Sequence, residues 1–230
     1  QVIADYVRRR YNRECVFISY GAEVIYPGGS RLSELGLVKR DYHLIVARLE
    51  PENHVLDAVH AFRESEETRP LVVVGSAPYS QWYIDKVHQA ANDDPRIHLV
   101  GGVYDQDLLD QLYANARTYI HGHSVGGTNP SLLRAMGAGA PVLAFDVEFN
   151  REVTAGEAFF WADTQQLTQI VDDIAGSQDL SGDEEINETL ACFVKHGRQR
   201  IHDHYQWDDV AKKYEEMLTS LATKVASRAH

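Results

Sequence analysis

The chain has 230 residues, of which 44% are hydrophobic and 24% charged, and its formal net charge at pH 7 is −12. This composition suits a globular protein with a substantial core, and the acidic excess argues against a nucleic-acid-binding face, which would be basic. No apolar run approaches the roughly 20 residues that span a bilayer, so a membrane-spanning helix is not predicted.

Strands and helices alternate along most of the chain. Residues 1–13 are predicted to form a helix, and residues 15–20 a short strand. The helical pattern is already under way at residue 1, so we expect the chain to be a piece of a longer protein. Apolar runs then alternate with amphipathic segments, which predicts an α/β fold, a Rossmann-like parallel sheet with helices on both faces. Strands are predicted at 43–47, 71–75, 97–100, 118–121, 141–145 and 158–161, and helices near 53–65, 80–91, 105–115, 130–139 and 150–155.

After the last predicted strand the chain is mostly helical. The segment 163–203 contains an acidic stretch around 176–185, which we interpret as a solvated surface turn and not as a metal site. The last helix, 207–226, has one apolar face, which can pack against the first helix or bury a homodimer surface. Cys15 and Cys192 lie in apolar-patterned segments and are interpreted as reduced core residues of a cytosolic protein.

A glycine-rich turn, 122–129, precedes a helix that Thr128 or Asn129 can cap. A helix N-terminus leaves backbone N–H groups unpaired and carries partial positive charge. Gly126 and Gly127 lack the side chains that would keep a ligand away from that backbone. The turn is therefore predicted to hold an anion such as a phosphate, and a tight turn without a ligand is the alternative. The lysine of a P-loop is absent, which argues against ATP or GTP hydrolysis.

Other candidate residues also follow strands, at the sheet edge where open parallel sheets bind ligands. Arg48 has the fork geometry for bidentate contact with a phosphate, and an ion pair with Glu50 or Glu52 is the alternative. Tyr104 offers a ring face to a nucleobase, or packs against the protein.

His121 and His123 form an H-x-H pair at the end of a strand. Such a pair can ligate zinc or iron, but a closed site needs a further ligand, and none is obviously placed nearby in the sequence. We therefore predict no metal here and interpret the histidines as hydrogen-bonding partners of a sugar phosphate.

The segment HSVGGTNPSLLRAMGAGAPVLAFDVEFNREV resembles the donor-site segment of family-4 glycosyltransferases, which are retaining enzymes of the GT-B fold. Within that family it is most similar to the polysaccharide rhamnosyltransferase-like branch. A second block, IVARLEPENH at 45–54, resembles the family's first phosphate-binding segment. The resemblance implies three parts: 1–24 as the end of an N-terminal acceptor domain with its linker, 25–205 as the nucleotide-sugar-binding domain, and 206–230 as a C-terminal crossing helix.

The resemblance also implies an activity. The enzyme would transfer a sugar, rhamnose in this branch, from a dTDP- or UDP-linked donor to a polysaccharide or lipid-linked acceptor, with retention and without a metal or other cofactor. The acceptor would be met through the missing N-terminal domain. The protein would be cytoplasmic, with peripheral association at the inner membrane face left open. The alternatives are a non-catalytic nucleotide-sugar-binding module and a GT-B-like nucleotide-sugar epimerase or phosphorylase.

The chain departs from the family at charged positions. The family's two glutamates, one contacting the donor sugar and one the ribose, are replaced here by Gly126 and Arg134. Because Arg134 cannot accept hydrogen bonds, a ribose diol would lose its partner, which favours a dTDP-sugar. The alternative is that Arg134 pairs with Asp146 or Glu148. A family lysine near Asn53 is also absent.

The resemblance assigns Arg48 and Asn53 to catalysis, in which they would stabilise the charge that develops on the departing diphosphate. Asn150 caps a helix in the alternative interpretation, and Glu152 can hold a sugar hydroxyl. The residues that the resemblance and the strand ends together assign to donor binding are Gly75, Ser76, Tyr104, His121, His123, Ser124, Gly126, Gly127, Thr128, Asn129, Ser131, Leu132, Arg134, Asn150 and Glu152.

Overall fold

A computed structural model describes residues 2–27, 31–176 and 184–226. Its centre is a six-stranded parallel sheet with the order β3-β2-β1-β4-β5-β6. The strands are β1 (His43–Val46), β2 (Leu71–Val74), β3 (Ile97–Gly101), β4 (Thr118–His121), β5 (Val142–Phe145) and β6 (Phe159–Trp161). The helices are α1 (Val2–Tyr11), α2 (Val55–Glu64), α3 (Gln81–Ala91), α4 (Gln106–Asn115), α5 (Pro130–Ala138), α6 (Glu148–Thr154), α7 (Thr164–Gly176), α8 (Glu184–His204) and α9 (Trp207–Ala226), with short 3₁₀ turns at Leu32–Leu35 and Pro51–Asn53.

The predicted α/β fold is confirmed, and the burial of the strands explains why the sequence pattern was sufficient to predict it. Successive strand residues point to opposite faces, and both faces are covered by helices. Leu44 and Tyr119 enter one core cluster, while their neighbours Ile45 and Ile120 enter the other. A strand buried on both faces must be apolar throughout, so the sequence shows continuous apolar runs.

The strand order reverses between β1 and β4. From β1 the chain moves outward through β2 and β3, then returns to place β4 on the other side of β1 and continues outward through β5 and β6. The register pairs His43 with Thr118 and Leu44 with Tyr119. Open parallel sheets leave a crevice at the carboxyl ends of the two strands flanking such a reversal, so this edge is where a ligand site is expected.

Two predictions near the cysteines are wrong. Residues 15–20 belong to no strand, because no strand of the described chain lies beside them to share backbone hydrogen bonds. Val16 and Phe17 are 65% and 56% exposed. Cys15 and Cys192 are both exposed thiols and not core residues. An apolar run predicts burial only where another element covers it, and here Ser19 is buried while Cys15, Val16, Phe17 and Tyr20 stay exposed.

The segment that follows is bound to the sheet domain. The Ala22 amide donates to the Tyr205 carbonyl (2.7 Å), and the Ile25 amide donates to the Gly137 carbonyl (3.0 Å). A side chain at Gly137 would meet the Glu23 carbonyl, so only glycine allows this close approach. The division at 24/25 and 205/206 stays a prediction.

The C-terminal part is helical, as predicted. Val210 of α9 is buried, while Tyr214, Leu218 and Leu221 are exposed. The centre of the predicted acidic surface turn, residues 177–183, lies outside the described residues. Within the described ranges, no helix combines the length and the hydropathy that crossing a membrane would require.

Candidate functional site

A cleft of about 370 Å³ opens at the carboxyl ends of β1 and β4, where the strand order reverses. It is built from three segments: the residues after β1, the glycine-rich turn after β4, and the first turn of α5. Tyr20 closes it from the N-terminal side. The polar residues that line it include Arg48, Asn53, His121, His123, Thr128 and Ser131.

The first turn of α5 presents unpaired amides. Asn129 is the cap, because its Oδ1 accepts from the Ser131 amide (2.9 Å), and Pro130 occupies the first helical position. Within the described chain no acceptor is found for the amides of Gly126, Gly127 and Leu132. Gly126 has φ +112°, a conformation that other residues rarely adopt. This end of α5 therefore offers free N–H groups and the positive end of a helix dipole to an anion.

Asn53 joins the two sides of the cleft. It is buried, its Nδ2 donates to the Arg48 carbonyl (2.9 Å), and its Oδ1 accepts from Nδ1 of His123 (2.8 Å). Both ends of the amide are thus engaged by the protein, so Asn53 holds Arg48 and His123 in place. Its predicted catalytic contribution stays a prediction and would act through that positioning.

His123 is half-buried at the floor of the glycine-rich turn. Because Asn53 Oδ1 can only accept, the proton of the neutral ring is assigned to Nδ1, which leaves Nε2 facing Gly126. Burial lowers the pKa of His123, and the charge of Arg48 adds to that lowering, against the opposing charge of Glu52. The ring is therefore favoured in its neutral form until an anion arrives beside it.

Gly122 is a site residue that the sequence analysis missed. A Cβ atom at this position would lie 2.1 Å from the Asn53 carbonyl oxygen, so only glycine lets the Pro51–Asn53 turn lie against the end of β4. A glycine directly after a strand is a signal for such an approach, but its partner lies about 70 residues away and cannot be read from local sequence.

Replacing Gly122 with alanine should therefore destabilise the protein by about 1–3 kcal/mol, the usual cost of overpacking a tight contact. Denaturant unfolding monitored by circular dichroism measures this. Gly176, which has no atom near its would-be Cβ, supplies the control variant G176A, for which no steric cost is expected. Equal stability of the two variants would show that the Gly122 contact relaxes freely.

His121 lies deeper in the cleft. It is 3% exposed, and burial, with the neighbouring His123, lowers its pKa to about 3, so its imidazole is neutral. Its Nδ1 lies 3.3 Å from the Tyr119 hydroxyl, while its Nε2 has no partner among the described residues. A buried polar atom without a partner is costly, which makes this nitrogen a candidate contact for a ligand. The described chain adds no third metal ligand to His121 and His123.

Arg48 follows β1 and reaches the mouth of the cleft. Its guanidinium pairs with Glu50 (Nη1–Oε2, 3.0 Å), which was the predicted alternative, yet its side chain remains 63% exposed. Glu50 itself is only 13% exposed, but the guanidinium has five N–H donors, so those not paired with Glu50 stay accessible to an anion.

Some predicted donor-binding residues do not line this cleft, among them Gly126 and Gly127, which line a neighbouring cavity. Gly75 allows close packing, because a Cβ there would lie 1.9 Å from the Ala47 carbonyl oxygen. Tyr104 is 89% exposed, so the alternative that it packs in the protein is wrong. The Ser124 hydroxyl donates to the Glu52 carbonyl (3.1 Å) and lies 3.0 Å from Nε2 of His54. Ser76 is exposed beside Gly75.

Arg134 pairs with neither of the acidic partners suggested by the sequence. Its Nε donates to Oδ1 of Asp110 on α4 (2.7 Å), while Asp146 is engaged by Arg151. Helix packing of α4 against α5 brings Asp110 and Arg134 together. Because they are 24 positions apart, local sequence does not predict this contact.

Asn150 is not a helix cap. Helix α6 begins at Glu148, and the buried Asn150 donates from Nδ2 to the carbonyls of His123 (3.0 Å) and Phe145 (2.9 Å). It therefore fastens the glycine-rich turn to the end of β5. Glu152, on the same helix, lines a second cavity of about 400 Å³ between that turn and residues 15–20.

Fold and site together define a Rossmann-like α/β domain with a cleft at its strand-order reversal, lined by Arg48 and the N-terminus of α5. The sequence profile described as glycosyl transferases group 1 matches residues 40–177, and this chain belongs to that family. The chain is also 30% identical over 146 residues to the O-antigen chain mannosyltransferase B of Escherichia coli, a match that covers 60% of this chain and 37% of that protein.

Solved structures of similar fold agree. HepE of Anabaena, crystallised with UDP-glucose, has a TM-score of 0.69 at 19% identity, over 82% of this chain and 51% of that one. Sucrose-phosphate synthase of Thermosynechococcus elongatus has a TM-score of 0.78 at 19% identity, over 96% and 56%. The GT-B assignment is confirmed, and this chain spans about a third to a half of the lengths of these relatives. The rhamnosyltransferase-like branch stays a prediction.

Proposed function

We propose that this chain is the nucleotide-sugar-binding half of a retaining glycosyltransferase that transfers a sugar to a polysaccharide or lipid-linked acceptor. The observation that carries the proposal is one cleft that the capped N-terminus of α5, Arg48 and His121 line together, with Nε2 of His121 lacking a partner among the described residues. The similarity to an O-antigen mannosyltransferase and to a structure holding UDP-glucose supports it.

A diphosphate fits the chemistry of this cleft. The N-terminus of α5, which lines the cleft from Thr128 to Ser131, offers dipole potential and N–H groups to phosphate oxygens without a side-chain charge. Arg48 contributes a cation whose guanidinium carries further N–H donors besides the Nη1 that pairs with Glu50. In a chain with a net charge of −12, these groups create a local positive field.

The cleft also suits transfer with retention. No described residue lining it is an aspartate or glutamate, so it offers no carboxylate nucleophile. In the proposed step, the acceptor hydroxyl attacks the anomeric carbon from the side of the leaving group. The bond from that carbon to the phosphate oxygen breaks, the bond to the acceptor oxygen forms, and the acceptor's proton passes to the departing diphosphate. Arg48 and the amides stabilise the charge that develops there.

The donor proposed is a dTDP-sugar, with rhamnose as the sugar and mannose as the alternative suggested by the E. coli relative. Arg134 supports this choice, because its guanidinium is committed to Asp110 and no carboxylate stands at its position to accept from a ribose diol. Deoxyribose lacks one of those two hydroxyls, so a deoxyribonucleotide loses fewer hydrogen bonds at this position.

Calorimetric titration of the chain with dTDP, UDP and GDP tests the proposal, with dTMP and UMP as controls that lack the second phosphate. We expect dTDP to bind most tightly and the monophosphates to bind about tenfold or more weakly. Tighter binding of UDP would overturn the choice of nucleotide. No difference between diphosphates and monophosphates would overturn the diphosphate site itself.

Assays of the full-length protein distinguish the enzyme from the non-catalytic module. Transfer or slow hydrolysis of the sugar from its donor, followed by release of the nucleoside diphosphate, is expected of the enzyme. A full-length protein that binds the nucleotide and releases none would instead establish the module.

A further inference from the structure

A cysteine, a histidine and a glutamate meet where α8 passes the turn after α6. Across the described ranges they form the one group of three or more such residues whose ligand atoms all lie within 4.8 Å of one another. We propose that Glu157, Cys192 and His196 bind a divalent transition-metal ion of the zinc class, with water as a fourth ligand. None of the three lines the cleft, so the site is separate from donor binding.

Local structure aims the three side chains at one point. Cys192 and His196 are four residues apart on α8 and therefore lie on one face of the helix. Pairs of metal ligands on helices use this same spacing. Glu157 arrives from the opposite side, after the chain turns through Ala155 and Gly156, which both have positive φ angles. Cysteine sulfur, histidine nitrogen and carboxylate oxygen are each zinc ligands in proteins.

Two of the three separations match those of a tetrahedral zinc site, and the third, from Sγ of Cys192 to the Glu157 carboxylate, is within 4.8 Å. Bonds of ~2.3 Å to sulfur and ~2.0–2.1 Å to nitrogen and oxygen, at tetrahedral angles, place sulfur about 3.6 Å and oxygen about 3.4 Å from the nitrogen. Nδ1 of His196 lies 3.5 Å from Sγ of Cys192 and 3.3 Å from Oε1 of Glu157. Binding would therefore need little movement.

Hydrogen bonding alone accounts less well for this arrangement. A ring nitrogen has a single in-plane lone pair or a single N–H, so Nδ1 of His196 cannot make a full hydrogen bond to both neighbours. A cation between the three atoms would engage all of them once the thiol has lost its proton. Both cysteines are free, so Cys192 is not committed to a disulfide.

A metal here would tie α6 to α8. Arg200, one turn further along α8, already donates to the carbonyls of Val153 (2.6 Å) and Glu152 (2.7 Å) at the end of α6. The metal would add a second link beside it. Because Asn150 of α6 holds the glycine-rich turn, the metal would stiffen the support of the cleft without touching it.

The test uses the reduced, metal-stripped chain titrated with Zn²⁺ and with Co²⁺. We expect one equivalent to bind, Co²⁺ to give a thiolate charge-transfer band in the near ultraviolet, and saturating Zn²⁺ to raise Tm by about 5–10 °C at roughly 100 times Kd. C192S should abolish the band, and H196A and E157Q should each weaken binding about tenfold or more.

Two matched variants separate the site from adventitious binding. C15S removes the other exposed thiol, and H202A removes an exposed histidine of the same helix that pairs only with its neighbour Asp203. Both should bind as the parent chain does. Binding that survives C192S, or a charge-transfer band lost in C15S, would overturn the proposal, as would the absence of any one-to-one binding.

Discussion

Replacing Arg48 with glutamine should weaken binding of the preferred nucleoside diphosphate about 10- to 100-fold. The guanidinium stands at the mouth of the cleft, where its N–H groups other than the one paired with Glu50 can reach a phosphate. Charge-assisted hydrogen bonds of this kind contribute about 1.5–3 kcal/mol. Glutamine retains a donor and most of the stem but removes the charge. Calorimetric titration of the parent chain and R48Q measures the difference.

Glu50 supplies the matched control. E50Q removes the partner that competes with phosphate for Arg48, so binding should be unchanged or tighter. The effect of R48Q should also shrink as salt is added, because exposed charges are screened. If R48Q binds diphosphate as well as the parent chain does, Arg48 is only a surface ion pair.

Replacing Glu67 with alanine should lower the free energy of unfolding by about 3–5 kcal/mol, the cost of removing one partner from a buried charged pair. Glu67 is 1% exposed at the amino-terminal end of the sheet. Its carboxylate accepts from Nε2 of His43 (2.9 Å) and from Nη1 of Arg69 (2.7 Å). His43 is fully buried, and its Nδ1 lies 2.7 Å from the Thr118 hydroxyl, so it cannot turn to another partner.

Glu66 is the control for this variant. It is exposed, and its backbone amide donates to Asp172, a hydrogen bond that the alanine substitution keeps. E66A should leave stability within about 0.5 kcal/mol of the parent chain. For E67A we expect Tm to fall by about 6–20 °C. A loss no larger than that of E66A would contradict the importance of the buried pair.

Acid should remove the same stabilisation. Burial alone would raise the pKa of Glu67, but hydrogen bonds from His43 and the Arg69 amide, with the charge of Arg69, outweigh it and lower the pKa from 4.5 to about 2. Burial lowers the pKa of His43, with Arg117 and Arg69 adding to that lowering and Glu67 opposing it.

Both folded-state pKa values are depressed, so the unfolded chain binds more protons as the pH falls. The contribution of His43 is present above 6.5, and that of Glu67 above 4.5, and each is lost as the pH falls through the folded-state value. For Glu67 the full loss is on the order of 3 kcal/mol. Denaturant unfolding between about pH 7 and pH 3 should show falling stability, with a flatter slope below about pH 4.5 in E67A.

Local patterns in the chain were sufficient to predict several features. Buried strands must be apolar, so the alternation of apolar runs and amphipathic segments was enough to predict the parallel sheet. The position of Arg48 after a strand, and of paired glycines before Asn129 and Pro130, followed from connectivity and capping alone. Each of these signals lies within a stretch of about ten residues, where backbone geometry permits few choices.

Contacts between residues far apart in the chain could not be predicted in this way. The pairing of β1 with β4 places Asn53 next to His123, and the packing of α4 on α5 places Arg134 next to Asp110. Helix α8 places Cys192 near Glu157 at the surface and not in the core. Each contact depends on strand register, on the rotation of a helix about its axis, or on a glycine that lets two backbones touch. Such quantities are set by the packing of the whole molecule, so no stretch of sequence shows them in advance.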